Sequence, residues 1–266
     1  AGVAPESASK VVEQHARRVE RAAESARRVL GHGGQRVSRP PGDIVYFPGC
    51  TGCATTADDV RKQVDALEVL LDTTVRVVTD RCCGLPLLDA GHPEGFAASM
   101  GALAEATENA ARIVVGDPGC LHAMVAIAPR FGVHFGTELE HFSQAVVAPL
   151  TRRSLPAEAR TYWYHDPCRL GRGLGIYDEP RRILETLTGQ KPHEFREHHD
   201  QAGCSGAGAQ LPRTHPETAQ AIAKERTREP GSAPIVTTCP GSKRAFEKAG
   251  AKVFDLGALV HDRLFP

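Results

Sequence analysis

The stretch Arg81-Cys82-Cys83-Gly84-Leu85-Pro86 decides how the chain is read. Neighbouring side chains on an extended strand point to opposite faces. Two adjacent cysteines therefore converge on one site only where the backbone turns. Gly84 and Pro86 supply that turn, because glycine accepts a positive φ and proline holds φ fixed. Thiolate is the soft ligand of iron–sulfur clusters and of zinc. In a chain with 8 cysteines, a vicinal pair on a turn, with further cysteines far away in sequence, reads first as metal ligation. Two buried thiols or a vicinal disulfide form the plainer alternative.

Working outward, the stretch sits inside a run of alternating strands and helices that starts at Asp43. Ile44-Val45-Tyr46-Phe47 is an apolar strand leading to Pro48-Gly49-Cys50, with Cys53 three residues beyond. A helix is expected from about Thr56 to Leu71, and then a strand at Val75-Arg76-Val77-Val78 that leads to the cysteine pair. A second helix is expected from Pro93 to Asn109. The strand Ile113-Val114-Val115 follows, ending at Asp117-Pro118-Gly119-Cys120. Each thiol group lies just past the C-terminal end of a strand, where open parallel sheets place their ligands.

The pattern then starts again. Thr161-Tyr162-Trp163-Tyr164 leads to His165-Asp166-Pro167-Cys168, a helix is expected from Glu179 to Leu187, and the loop Gly203-Cys204-Ser205-Gly206 precedes a helix from Pro216 to Arg228. Ile235-Val236-Thr237 runs to Cys239-Pro240-Gly241-Ser242, followed by a helix from Lys243 to Ala249 and a strand near Val253. Cys83 and Cys120 are 37 positions apart, and so are Ser205 and Ser242. A fixed internal spacing marks a repeat. In it Cys50 matches Cys168, Cys82 matches Cys204, Cys83 matches Ser205, Asp117 matches Cys239, and Cys120 matches Ser242. The expected fold is α/β, with two pseudo-symmetric modules, each a small parallel sheet flanked by helices. The expected division is an N-terminal helical arm and linker over 1–42, a first module over 43–155 and a second over 156–266.

The arm reads as one helix from Glu6 to Leu30. Val12, Ala16, Val19, Ala23, Ala26 and Val29 recur at helical spacing, with arginines and glutamates elsewhere. The stripe is mostly alanine and hence shallow, suited to docking on the body or on a partner. Gly31-His32-Gly33-Gly34 ends it.

The bulk numbers narrow the function classes. The 266 residues carry 32 basic and 32 acidic side chains, so no field advertises nucleic acid or an anionic membrane. Aromatic residues make up 5%, which leaves few platforms for stacking single strands. No apolar run approaches the roughly 20 residues of a membrane span, and no signal-peptide core is seen. Cysteine usage of this kind suits a reducing compartment, so a cytoplasmic location is expected. The chain starts at Ala1 without methionine, so it reads as processed or as a piece of something longer. No nucleophile elbow, phosphate loop, flavin site or nicotinamide site appears.

The doubled pattern Cys…Cys-Cys-Gly…Cys-x-x-Cys resembles the CCG-domain, or cysteine-rich domain, proteins. These include the B and D subunits of heterodisulfide reductase and the iron–sulfur subunits of glycolate, lactate and anaerobic glycerol-3-phosphate dehydrogenases. The residues that carry the resemblance are Phe47-Pro48-Gly49-Cys50, Cys82-Cys83-Gly84-Leu85-Pro86, Asp117-Pro118-Gly119-Cys120, Tyr164-His165-Asp166-Pro167-Cys168-Arg169-Leu170-Gly171-Arg172, Cys204-Ser205-Gly206-Ala207-Gly208 and Cys239-Pro240-Gly241-Ser242. The resemblance covers about Asp43 to Pro266. In that family a full set of five cysteines can hold a noncubane [4Fe-4S] cluster, and reduced sets occur around cubane clusters or metal ions.

This chain departs from the full set in both halves. The first keeps Cys50, Cys82, Cys83 and Cys120, has Asp117 at the fifth position, and adds Cys53 as a substitute fifth thiol. Four or five thiolates suffice for one [4Fe-4S] cluster, cubane or noncubane. The second half has Cys168, Cys204 and Cys239, with Ser205 and Ser242 in place of thiols. Hydroxyls are poor ligands for soft metals. A cluster completed by His165, a zinc ion, or an empty site all remain open there.

The resemblance implies an iron–sulfur electron-transfer subunit of a multi-subunit oxidoreductase, served by flavoprotein or ferredoxin-type partners. The alternatives are a catalytic subunit that cleaves a disulfide, as in heterodisulfide reductase, and a zinc-bearing or metal-free scaffold subunit. Among smaller features, Arg169 and Arg172 either offset cluster charge or are solvated, and His92 reads as a helix-start residue. His198-His199-Asp200 has metal-like composition in a polar loop, and Gly206-Ala207-Gly208 is a weak anion signal.

Overall fold

Runs of β-branched and aromatic residues, buried on both faces, build the centres of two sheets. A computed structural model describes residues 6–31, 41–156 and 158–266. The arm is α1 (Glu6–Gly31). The first half then runs β1 (Pro41–Phe47), α2 (Cys50–Thr55), α3 (Ala57–Leu71), β2 (Thr74–Val77), α4 (Leu85–Asp89), α5 (Pro93–Thr107), β3 (Arg112–Val115), α6 (Pro118–His122), β4 (Glu138–His141) and α7 (Phe142–Thr151). The second half runs β5 (Trp163–Tyr164), α8 (Gly171–Leu174), α9 (Asp178–Thr188), β6 (His193–Glu194), α10 (Leu211–Thr214), α11 (Pro216–Arg228), β7 (Ile235–Thr237), α12 (Pro240–Lys248), β8 (Val253–Asp255) and α13 (Leu256–Leu264).

Both sheets are parallel and have the same order, β2-β1-β3-β4 and β6-β5-β7-β8. The repeat seen in the cysteines therefore extends to strand order. The central strands carry apolar runs: Ile113, Val114 and Val115 of β3, like Ile235 and Val236 of β7, are fully buried. The edge strands β4 and β6 have no such run, and the sequence reading did not anticipate them. β4 is Glu138-Leu139-Glu140-His141, with Glu140 paired to Arg112 at 3.0 Å, and β6 has only two residues. Edge strands are commonly short and charged, which blunts their unpaired side. The short helix α2, which starts on Cys50 itself, was also unanticipated, as were α7 and α13.

The two halves share one core. Tyr46, Leu67 and Val146 of the first half cluster with Tyr164, Ile183 and Leu256 of the second. α3 packs on α13, and α7 on α9. Polar ties cross the same boundary: Lys243 Nζ meets Asp59 Oδ2 at 2.6 Å. Tyr46 donates its hydroxyl to Gln63, whose Nε2 donates to Asp255 Oδ1 at 2.9 Å.

Of the two uses foreseen for the arm, the body takes it. α1 lies against α2 and α3, and Ala22, Ala23 and Ala26 are buried by the chain itself. Ala16, by contrast, is exposed and lines an open groove with Val19. The expected linker lies, for residues 32–40, outside the described residues. Among the described residues no helix is long and apolar enough to cross a membrane.

Candidate metal centre

The turn at the cysteine pair depends on one glycine. Gly84 has φ +73, and a Cβ there would lie 2.9 Å from Ser99 Cβ and 3.0 Å from the Phe96 backbone. Its own N–H donates to Cys82 Sγ at 3.4 Å, and Pro86 falls in the first turn of α4, where its missing donor costs nothing. A second glycine closes the site from the other side. Gly49 (φ +81) precedes Cys50, and a Cβ on it would lie 2.9 Å from Asp117 Cβ and 3.0 Å from Cys120 Sγ. The loops after β1 and β3 touch because that Cβ is absent.

Three loop segments consequently deliver their thiols to one place. Cys50 Sγ lies 3.4 Å from Cys82 Sγ, and Cys120 Sγ lies 3.2 Å from Cys83 Sγ. The vicinal bond joins the two pairs. Cys53, three residues after Cys50 on α2, shares the apolar cluster of Cys50 and Cys82. All five thiols are 5% exposed or less. The two contacts are hydrogen-bond distances between thiols, so binding a metal in their place spreads the sulfurs apart.

Burial and mutual hydrogen bonds favour the neutral form of these thiols. The thiol of Cys82, bonded to Cys50, and then burial hold Cys50 well above the ordinary thiol range. The bond from Cys120 and then burial do the same for Cys83, apart from an opposing contribution of Cys82. Burial, reinforced by Cys50, pushes Cys53 up to about 12. At Cys120 the bond with Cys83 lowers the value, but burial and the adjacent Asp117 override it and bring it to about 12. A metal taken up here must displace these protons, since thiolate is the ligand.

The arm covers this centre. Ala22 and Ala26 pack on Cys50, Cys53 and Cys82, and Arg18 Nη2 donates to Thr51 Oγ1 at 3.0 Å. The Arg18 charge is close enough to lower both Cys50 and Asp117. Beside it runs an open groove of about 550 Å³, lined by His15, Val19 and Ala23 of α1 and by Asp80, Arg81 and Cys82. Arg18 and the small residues of α1 were missed as site residues; the alanine stripe was the signal in the sequence.

In the second half the same positions hold different chemistry. Ser242 Oγ donates to Ser205 Oγ at 2.9 Å, where the first half has the Cys83–Cys120 contact. Gly206 N–H donates to Cys204 Sγ at 3.2 Å, repeating the Gly84–Cys82 bond. Cys239 caps α12, just as its counterpart Asp117 caps α6 by accepting from Gly119 N at 2.7 Å. Burial and then the Asp117 charge push Cys239 up to about 12. Cys168 and Cys204 are exposed. Among the described residues no sulfur–sulfur contact joins Cys168, Cys204 and Cys239.

His165 is 1% exposed and meets the rings of Phe246 and Phe195 edge-on, at centroid distances of 4.8 and 6.2 Å. Its Nδ1 has no hydrogen-bond partner, and burial lowers it to about 3. The neighbouring Asp166 takes both Nη atoms of Arg181 at 2.8 Å, and Arg181 overrides burial to keep its carboxyl below the usual range. Arg169 reaches across to the first half, with Nη1 3.0 Å from His122 Nδ1. Arg172 is bound to the carbonyls of Asp200 and Ala202. His92 caps α5, accepting from Gly95 N at 2.9 Å, as its position in the sequence implied.

Comparison with known proteins agrees with this layout. The family described as CCG, cysteine-rich domain, matches residues 44–125 and again 162–246. The D subunit of the dihydromethanophenazine:CoB–CoM heterodisulfide reductase of Methanosarcina acetivorans is 27% identical over 241 residues, covering 84% of this chain and 59% of that protein. The B subunit of the CoM/CoB fumarate reductase of Methanothermobacter marburgensis is 28% identical over 213 residues, covering 77% of this chain and 42% of that protein. An uncharacterised iron–sulfur protein of Methanococcus maripaludis is 41% identical over 83 residues, 30% of this chain and 16% of its own. The chain spans about half the length of the two reductase subunits.

Proposed function

The chain belongs to the CCG cysteine-rich-domain family, and from that premise we propose that it is an iron–sulfur electron-transfer subunit of a multi-subunit oxidoreductase. The observation that carries this reading is the convergence of Cys50, Cys82, Cys83 and Cys120 in two sulfur–sulfur contacts of 3.4 and 3.2 Å inside a buried chamber. A donor set of soft sulfurs, with no carboxylate or imidazole among the four, fits an iron–sulfur cluster. A [4Fe-4S] cluster bound there would supply single-electron transfer. Cys50, Cys82, Cys83 and Cys120 would hold it, with Cys53 one turn from Cys50 as the fifth thiol. The Gly84 N–H aimed at Cys82 Sγ and the Arg18 charge stabilise thiolate, and the α1 alanines keep water away.

The second half takes the weaker part. Its Ser205–Ser242 hydrogen bond replaces a thiol contact, so Cys168, Cys204 and Cys239, with His165 nearby in sequence, hold at most a second cluster or a zinc ion. Electrons come from and go to other proteins, of the flavoprotein or ferredoxin kind. The names of the reductase subunits support a place in a larger assembly. A reducing compartment, the cytoplasm, keeps the thiols free.

Anaerobic purification with iron, sulfide and zinc analysis tests the reading. The expected result is a brown protein with about four iron and four sulfide per chain and a reducible visible spectrum. Colourless protein carrying zinc without sulfide would overturn it in favour of a scaffold. Steady turnover of a small disulfide by the iron-loaded chain would move it to the catalytic class.

A further inference from the structure

Away from the thiol centre, β6 and the turn after it bring together Glu194, His198 and His199. One donor atom from each lies within 4.8 Å of the others. Glu194 lies four residues before the pair His198-His199, and the left-handed turn at His199, held by Asp166, accompanies their approach.

Four features mark this cluster as built. First, the Nδ1 atoms of His198 and His199 face each other at 2.6 Å. At that distance a proton lies between the two nitrogens; a metal bound to both at about 2.0–2.1 Å holds them about 3.4 Å apart, so it replaces the proton as the two rings separate. Second, His199 has φ +54, a left-handed conformation uncommon outside glycine, which turns its ring back onto His198. Third, that conformation is clamped: the His199 N–H donates to Asp166 Oδ2 at 2.8 Å, and its ring stacks on Tyr177 at 5.3 Å. Fourth, Glu194 is oriented by Arg181, whose Nε and Nη2 donate to its two oxygens at 2.7 and 2.8 Å. Each carboxylate oxygen keeps a second acceptor position.

The local charge also favours a cation. Asp166 and Glu194 share the guanidinium of Arg181, so two carboxylates stand on one directly paired cation beside the two imidazoles, with Arg226 acting on Asp166 from farther away. All three donor residues are half-buried, so an ion can enter from solvent.

We propose that Glu194, His198 and His199 form a metal site for a divalent cation of the zinc class, separate from the thiol centre. Two imidazole nitrogens and one carboxylate oxygen are borderline donors suited to zinc, cobalt or nickel rather than to an iron–sulfur cluster. Three protein ligands leave the fourth tetrahedral position to water, so the site is open. It ties the end of β6 to the turn that leads to Cys204.

Cobalt(II) reports ligand type, because thiolate ligation gives an intense near-ultraviolet band and nitrogen–oxygen ligation does not. The full chain, isolated with its thiol centre filled, is titrated with cobalt(II). The expected result is one equivalent bound without the sulfur band and displaced by zinc. His198→Gln with His199→Asn, where asparagine keeps the left-handed backbone accessible, should lose that equivalent while iron and sulfide stay unchanged. Glu194→Gln should weaken it at least tenfold. Should the double variant fail to fold, His198→Gln alone carries the same reading, since His198 holds no backbone clamp. Retention of the equivalent in His198→Gln, or uptake only with the sulfur band, overturns the proposal.

Discussion

Cys83 is the residue on which the centre most depends. It is 2% exposed, contacts Cys120 at 3.2 Å, and forms the covalent link between the two sulfur pairs. Cys83→Ser keeps the volume but removes a soft ligand, so iron and sulfide per chain should fall to near zero, measured after anaerobic purification. Full iron content in this variant would remove Cys83 from the ligand set. His141 gives a pH prediction at the same scale. It is 1% exposed, caps α7 by accepting from Ser143 N at 3.1 Å, and burial lowers it to about 3. Unfolded histidine titrates near 6.5, so between about 6.5 and 3 the unfolded chain binds the extra proton. Stability from this residue is present above about 6.5 and is lost as pH falls toward 3, by up to about 1.4 kcal/mol per pH unit. Thermal unfolding from pH 7 to pH 4 should show the decline. His141→Asn, which keeps a capping acceptor, should make it shallower, leaving the share that comes from His165.

Among the elements, α1 changes most between reading and structure. Its alanine stripe is shallow in sequence, and the structure shows why: Ala22 and Ala26 lie directly on Cys50, Cys53 and Cys82. A larger side chain has nowhere to go. Ala26→Leu should cost about 1–3 kcal/mol by overpacking and lower the iron content, read by urea unfolding and metal analysis. Unchanged iron and stability would mean that α1 lifts freely from the centre. The unanticipated elements share a physical cause. β4 is charged, β6 has two residues, and α2 begins on a presumed ligand, so none of them shows hydrophobic periodicity over a readable length.

At the scale of the whole molecule, two copies of one α/β design have diverged while sharing a core. The Cys83–Cys120 contact and the Ser205–Ser242 hydrogen bond occupy equivalent places. Ser205→Cys with Ser242→Cys should therefore raise the metal bound per chain, with Cys168, Cys204 and Cys239 as the remaining donors. No gain in iron or zinc would show that the second half lacks more than two sulfurs. The amino-acid sequence by itself determined the repeat, the α/β class, the central strands and the thiols worth watching, because buried strands are continuous apolar runs and the turn at Cys82-Cys83-Gly84 has its own local chemistry. Only the tertiary structure decided which thiols meet, that α1 covers Cys50, Cys53 and Cys82, and that Glu194 stands beside His198 and His199. All but the last are contacts between segments distant in sequence, and the last depends on a left-handed turn at His199 that a non-glycine residue does not announce. The distant contacts follow from strand order and from how two sheets bury one core, neither of which leaves a local pattern in the chain.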